Sequence, residues 1–310
     1  MVTEKPQSRA AGGIKILKTL NELYLGARRK LREAGISGYD LEARLLTAAA
    51  SHRTKEQLLR DRHHYDTDGS YEAALNALIE RRLKGEPIAY ILGEWEFYGL
   101  PLDITPDVLI PRVDTEVLVD AALEYIRKLP KAARVLDLCT GSGCVGLAIA
   151  AHTADARVLL ADISPAALRV CRRNIIRNNL IRRVTTMEID ALKSPPLLIG
   201  SFDAIVCNPP YIPSGDIAWL DESVRGYEPA SALDGGEDGL LFYRGIVPKW
   251  KETLSEGGLL AFECGAGQAP AVAEILRVNG LEEIRTYKDT LGIERVVAGI
   301  WRRSGPPEGG

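Results

Sequence analysis

The chain predicts an α/β fold in which a mostly parallel, Rossmann-like sheet follows a small helical domain. Three observations carry this expectation. From Arg134 onward, compact apolar segments alternate with amphipathic ones, the pattern of strands joined by crossover helices. The first of these strands runs into Thr140-Gly141-Ser142-Gly143-Cys144-Val145-Gly146, which satisfies G-x-G-x-x-G between a strand and a helix. Ahead of both, residues 14–86 carry apolar side chains every three or four positions, as a helix face requires. At 310 residues the chain exceeds one ordinary core, which fits two domains.

The elements follow in order. Leu17, Leu20, Tyr24, Ala27 and Leu31 mark one face of a first helix, and Leu41, Leu45 and Ala48 that of a second. Thr54 with Gln57 forms a capping-box pattern before a short third. Ser70 suits the N-cap of a fourth, with Leu75, Leu78, Ile79 and Leu83 on its face and Gly85 at its stop. Residues 87–113 are rich in aromatic and β-branched residues and broken by Gly93, Gly99, Pro101 and Pro106, so short strands or a hairpin are expected. A charged helix follows from Thr115 to Leu129. The segments RVLDLCT, ARVLLADIS, VTTMEID, FDAIVCN, LLAFECG and ERVVAGIW read as strands, and Ser164-Pro165 opens the helix after the second. The expected division is a helical domain at 1–86, a hairpin linker at 87–114, a catalytic domain at 115–303 and a disordered tail at 304–310.

Composition narrows the function. The chain has 39 basic and 42 acidic residues, a net of 39 − 42 = −3. Residues 1–90 carry 16 basic against 12 acidic, and the remainder 23 against 30, so a mildly basic front precedes an acidic back. That argues against a uniformly cationic nucleic-acid binder. Five scattered cysteines without a CxxC argue against a disulfide framework or zinc site and for a reducing cytosol. His63-His64 lacks companions at metal-ligand spacing, so no metal is expected. No apolar run is long enough to span a bilayer, and MVTEKPQSRAAGG lacks a signal-peptide core, so a cytoplasmic protein without a membrane partner is expected.

Two clusters carry the chemistry. In the first, Gly141, Gly143 and Gly146 let a ligand approach the backbone, and Asp162 ends the second strand 21 positions after Gly141, where a carboxylate can accept from ribose hydroxyls. This pattern suits NAD and S-adenosylmethionine alike. Asp190 ends the third strand and could accept from an adenine amino group; a solvated loop aspartate explains its position as well. In the second cluster, Asn208-Pro209-Pro210-Tyr211 follows the fourth strand, where an open α/β sheet binds ligands. The Asn208 side-chain oxygen and the Pro209 carbonyl could each accept one hydrogen of an NH₂ group, and Tyr211 offers a flat face to a planar substrate. A rigid turn with a packed Tyr is the plainer alternative, which the strand context disfavours.

With these motifs the chain resembles the N5-glutamine methyltransferases that modify bacterial peptide chain release factors. The resemblance covers nearly the whole sequence: GEPIAYILGEWEFYG at 85–99, VLIPRVDTE at 108–116, LDLCTGSG at 136–143, NPPYIP at 208–213 and EPASALDGGEDGL at 228–240. It implies a class I, seven-stranded S-adenosylmethionine-dependent fold whose helical front helps bind the release factor. It also implies that Cys139, Thr140, Gly141, Ser142 and Gly143 line the methionine side of the cofactor, Asp162 its ribose, and Asp190 with Ala191 its adenine, with Asn208 closing the site. Asn208 to Tyr211 would hold the glutamine of a class-1 release factor's GGQ loop, with S-adenosylhomocysteine as the second product. A monomer is expected. Cys139 stands where many members have glycine, tolerable if its backbone avoids positive φ, and Val113 where proline is usual.

An amide nitrogen is a poor nucleophile, and no histidine neighbours NPPY, so positioning is expected to supply most of the catalysis. The nearest rival is a DNA or RNA amino-methyltransferase, which shares NPPY but needs a basic groove. A dehydrogenase leaves NPPY idle, and a non-catalytic scaffold leaves both clusters idle. Glu263 reads as a structural carboxylate, Arg112, Asp114 and Glu116 as a possible roof or local ion pairs, Gly235, Gly236 and Gly239 as loop, and Cys207 as packing.

Overall fold

The computed structural model describes residues 7–10 and 13–303, with side chains from Leu17 onward. The expected tail at 304–310 lies outside the described residues. The chain divides between Leu92 and Gly93 into two compact units.

In the first unit, β1 (Gln7–Ala10) and β2 (Gly13–Ile16) pair antiparallel. Helix α1 (Leu20–Glu33) opens on a capping box in which the Thr19 hydroxyl accepts from Glu22 N–H at 3.2 Å and Thr19 N–H donates to the Glu22 carboxylate at 2.9 Å. Its buried face is Leu20, Leu23, Ala27 and Leu31. In α2 (Tyr39–Ala50) Ala48 is buried as expected, but Leu41 is exposed and the face is completed by Ala43 and Leu46 instead. Thr54 and Gln57 cap α3 (Lys55–Arg60) reciprocally. Ser70 does not cap α4 (Ser70–Leu83). Gly69 holds the N-cap at φ +80°, and the buried Asp66 carboxylate takes the free N–H groups of Gly69, Tyr71 and Glu72 at 3.0, 3.4 and 2.8 Å. Ile88–Leu92, read as strand, form a helix, α5, because Ala89, Tyr90 and Ile91 can all be buried in one short turn that starts at Pro87.

The second unit opens with the hairpin β3 (Glu94–Phe97) and β4 (Leu100–Asp103). Its two-residue turn, Tyr98-Gly99, has φ of +50° and +75°, the backbone sign a tight hairpin needs at both positions. Helix α6 (Glu116–Ile126) leads to β5 (Arg134–Leu138), α7 (Cys144–Ala151), β6 (Arg157–Asp162), α8 (Pro165–Arg177), β7 (Val184–Glu188), β8 (Phe202–Cys207), the single turn α9 (Glu222–Arg225), α10 (Leu241–Trp250), β9 (Leu254–Glu263), α11 (Ala269–Val278), β10 (Leu281–Lys288) and β11 (Glu294–Trp301). The seven strands run β10-β11-β9-β8-β5-β6-β7. β5 to β9 are parallel and β11 is antiparallel to both neighbours. All six residues of β8 are buried, as a central strand covered on both faces requires. From β5 the chain steps outward to β6 and β7, then returns to lay β8 on the other side of β5. The carboxyl ends of β5 and β8 therefore diverge at the switch point where open α/β sheets take ligands.

Candidate active site

β5 carries a carboxylate into the core. Asp137 is 1% exposed, and its Oδ2 accepts from the Thr140 hydroxyl at 2.5 Å and from Gly146 N–H at 2.9 Å. Burial pushes its carboxyl up to about 7, against the pull of those two donors. Asp137 thus fastens the glycine loop to the strand beneath it. No motif singles out this residue in the sequence, although an acid inside the apolar run VLDL is a signal. Gly146 permits the approach: a Cβ there would lie 2.3 Å from the Leu160 side chain and 3.0 Å from Asp137 Oδ2. Gly141 and Gly143 adopt φ of +55° and +86°. Cys139 adopts φ +56°, so the condition under which cysteine would substitute for glycine freely is not met, and the loop carries a left-handed cysteine.

A cavity of about 440 Å³ opens over this loop. Cys139, Thr140, Gly141, Ser142, Asp162, Asp190, Ala191 and Asn208 all line it, brought together from the ends of four strands; Gly143 instead lies against Leu160, Leu147 and Cys171. Asp162 accepts from Gly141 N–H and Ser164 N–H, both at 2.9 Å, and burial raises its carboxyl. Each of its oxygens keeps a second lone pair for a ligand. Asp190 accepts from Leu192 N–H at 2.9 Å, and the Ala191 carbonyl from Trp250 Nε1–H at 2.9 Å, which anchors the loop after β7 to α10. Two segments read only as linker and loop form the roof. Asp107, Val108, Leu109 and Pro111 meet Pro229, Ser231, Ala232 and Asp234 across it. Buried Glu228 ties them, its carboxylate accepting from Ile110 N–H at 3.1 Å and pairing with Arg112.

Asn208 and Pro210 form the far wall, while Pro209 and Tyr211 are not among its lining residues. Asn208 Nδ2 donates to the buried Thr115 hydroxyl at 3.4 Å. Tyr211 is turned toward the core, its hydroxyl 3.5 Å from Glu263 Oε1 and its carbonyl accepting from Gln268 Nε2 at 2.9 Å. Its ring therefore braces the wall and does not present the flat face to substrate that the motif predicts. The loop glycines make that bracing possible: a Cβ on Gly235 would lie 2.7 Å from Tyr211 Cα, and one on Gly239 2.3 Å from the Tyr211 carbonyl oxygen. Glu263, 1% exposed, is raised to about 7 by burial, against the Thr115 hydroxyl and the Arg295 guanidinium.

The charge of the wall decides what it can hold. Asp107, Asp137, Asp162, Asp190 and Asp234 line the cavity with no Lys, Arg or His among the lining residues. Lys193 pairs with Asp190 at 3.5 Å from outside the lining, so a pyrophosphate would face five carboxylates with little to offset them, which disfavours the dinucleotide reading. A small ligand bearing a ribose and a positive charge suits the same wall. Ser142 supplies a further point of attachment, because its hydroxyl oxygen is buried at the cavity without a hydrogen-bond partner. Among the described residues no group of His, Cys, Asp or Glu is disposed to hold a metal.

Fold and cavity together define a class I methyltransferase-like enzyme: a seven-stranded sheet with one antiparallel strand, a glycine loop backed by an acidic wall, and a wall of Asn208 and Pro210 opposite. Comparison with known proteins agrees. The Methyltransferase small domain matches residues 114–219 and the PrmC N-terminal domain residues 22–93. The hMettl16 catalytic domain superposes with a TM-score of 0.52 at 19% identity, over 76% of this chain and 82% of its own, a likeness of fold. The Release factor glutamine methyltransferase of Geobacter sulfurreducens is 42% identical over 96% of this chain and 99% of its own length. That of Clostridium acetobutylicum is 44% identical over 78% and 87%. The chain belongs to the release factor glutamine methyltransferase family.

Proposed function

We infer that this enzyme transfers a methyl group from S-adenosylmethionine to the side-chain amide nitrogen of the glutamine in the GGQ loop of a class-1 peptide chain release factor. The observation that carries the reading is the meeting, in one cavity, of the glycine loop and Asp162 with Asn208. Asp162 would take the ribose, Asp190 and the Ala191 backbone the adenine, and Cys139 to Ser142 the methionine side. The acidic lining suits a sulfonium cation, and the partnerless Ser142 hydroxyl fits its polar end. When bound, the cofactor supplies an electrophilic methyl group.

The chain's own residues hold the nucleophile. The Asn208 oxygen and the Pro209 carbonyl accept the two amide hydrogens, which points the nitrogen lone pair toward the cofactor side. As the nitrogen gains positive charge, both acceptors strengthen, so they favour the transition state over the bound substrate. No general base is required before transfer, because methylation leaves the nitrogen cationic and acidic, and it then gives up one proton to solvent. The front unit would engage the release factor's body, and the reaction would run on a cytoplasmic monomer.

The test incubates the purified protein and labelled S-adenosylmethionine with unmodified release factor, with a factor whose GGQ glutamine is alanine, and with duplex DNA. Label on the wild-type factor alone supports the reading. Label on DNA, or equal label on the alanine variant, overturns it.

A further inference from the structure

Asn208 works only one way round. Its oxygen must face the substrate amide; turned by half a rotation about its last bond, it would offer two donors where two donors arrive. Something in the fold must therefore set the rotation. The surroundings supply a directional chain. Asn208 Nδ2 lies 3.4 Å from Thr115 Oγ1, and Thr115 is 2% exposed. The Glu263 carboxyl, 1% exposed, faces the Thr115 hydroxyl and the Tyr211 hydroxyl, and its Oε2 is buried with no hydrogen-bond partner. Among the charged groups around it, Arg295 is committed to Asp114 and Asp289 at 2.8 and 2.9 Å. A hydroxyl has one proton. In the ionised form of Glu263, the carboxylate takes that proton from Thr115, and the oxygen of Thr115 can then only accept from Asn208.

We propose that Thr115 and Glu263 are positioning residues that lock the Asn208 amide with its nitrogen turned away from the cavity and its oxygen toward the substrate. The chain of donors runs from Asn208 Nδ2–H to Thr115 Oγ and from Thr115 O–H to the Glu263 carboxylate. Tyr211, giving its hydroxyl proton to the same carboxylate, holds the other end of the wall. Three strands and a loop meet here, since Thr115 precedes α6, Asn208 follows β8, Glu263 ends β9, and Arg295 lies on β11. The inference rests on the amide-methylation reading above, and its test separates the two.

Thr115→Val keeps the side-chain shape and deletes the acceptor, and its urea midpoint, measured alongside, separates a folding loss from a loss of positioning. Methyl transfer to unmodified release factor at saturating cofactor should fall roughly 10- to 100-fold in kcat, with KM and the calorimetric S-adenosylmethionine Kd unchanged. Thr115→Ser should restore most of kcat. The double variant Thr115→Val, Glu263→Gln should fall no further than the worse single, because both act through one chain. The side-chain ¹⁵N amide signals of Asn208 should be distinct and slowly exchanging in wild type and Thr115→Ser, and averaged in Thr115→Val. Unchanged kcat in Thr115→Val, equal loss in Thr115→Ser, or unchanged Asn208 signals would overturn the proposal. A wild-type protein that leaves release factors unmethylated refutes the proposed function instead, and the Asn208 signals still decide this inference.

Discussion

Asp137 ties the stability of the catalytic unit to pH in a direction opposite to that of a salt-bridged carboxylate. Its carboxyl rises from 3.8 when exposed to about 7 in the fold, chiefly because burial penalises the charged form. An acid whose folded pKa exceeds its unfolded value binds its proton more tightly when folded. The folded state is therefore unpenalised below the unfolded value, progressively penalised as pH climbs, and fully penalised above the folded value. With these two values, moving from about pH 5 to about pH 8 should cost about 2–3 kcal/mol at about 1.4 kcal/mol per unit. Glu263, raised from 4.5 to about 7 with burial again the largest cause, adds a loss of the same sign. Asp137→Asn removes the first of these while leaving an oxygen to accept from Thr140 and Gly146. Urea unfolding of the ligand-free wild type and variant at both pH values measures the effect. The variant should lose less stability than wild type between the two pH values, by about 2–3 kcal/mol. Parallel slopes in the two proteins would refute the reasoning, since they would mean that Asp137 ionises no differently in the folded and unfolded chains.

Three further outcomes follow from particular contacts. Asn208→Ala should bind S-adenosylmethionine within about twofold of wild type and lose about 10²–10³ in kcat, read by calorimetry and methyl transfer; near-normal turnover contradicts the role given to Asn208. Gly146→Ala should destabilise by about 1–3 kcal/mol, because its methyl would press on Leu160 at 2.3 Å, and denaturant midpoints check it. Cys139→Val should cost upward of about 1 kcal/mol, since a branched side chain at φ +56° is strained, whereas Cys139→Gly should be tolerated. Equal stability of the two Cys139 variants would show that the left-handed backbone there relaxes at no cost.

β5, β6, β8 and β9 are legible because a buried parallel strand must be apolar on both faces, and β7 and β11 because β-branched residues are frequent in VTTMEID and ERVVAGIW. The seventh, Leu281–Lys288, went unread: it is an edge strand, LEEIRTYK, with one buried residue, so its composition resembles a helix or loop as well as a strand. The glycine loop and the capping boxes are legible because they are local, each satisfied within a few residues of itself. The site's remaining parts pair residues far apart in sequence, such as Thr115 with Asn208 and Glu228 with Arg112. No spacing rule predicts which loops a switch point will bring together.

The motifs alone determined that a ribose-bearing ligand and an NH₂ group could be held at the ends of neighbouring strands, since glycines, a strand-end acid and an Asn-Pro-Pro-Tyr turn carry that chemistry wherever they sit. Tertiary structure decided the rest. It gathered five aspartates into the lining of one cavity, turned Tyr211 inward onto Glu263, and set Cys139 in a left-handed backbone. These are properties of burial and of what faces what, and burial is fixed only when the sheet closes over its core.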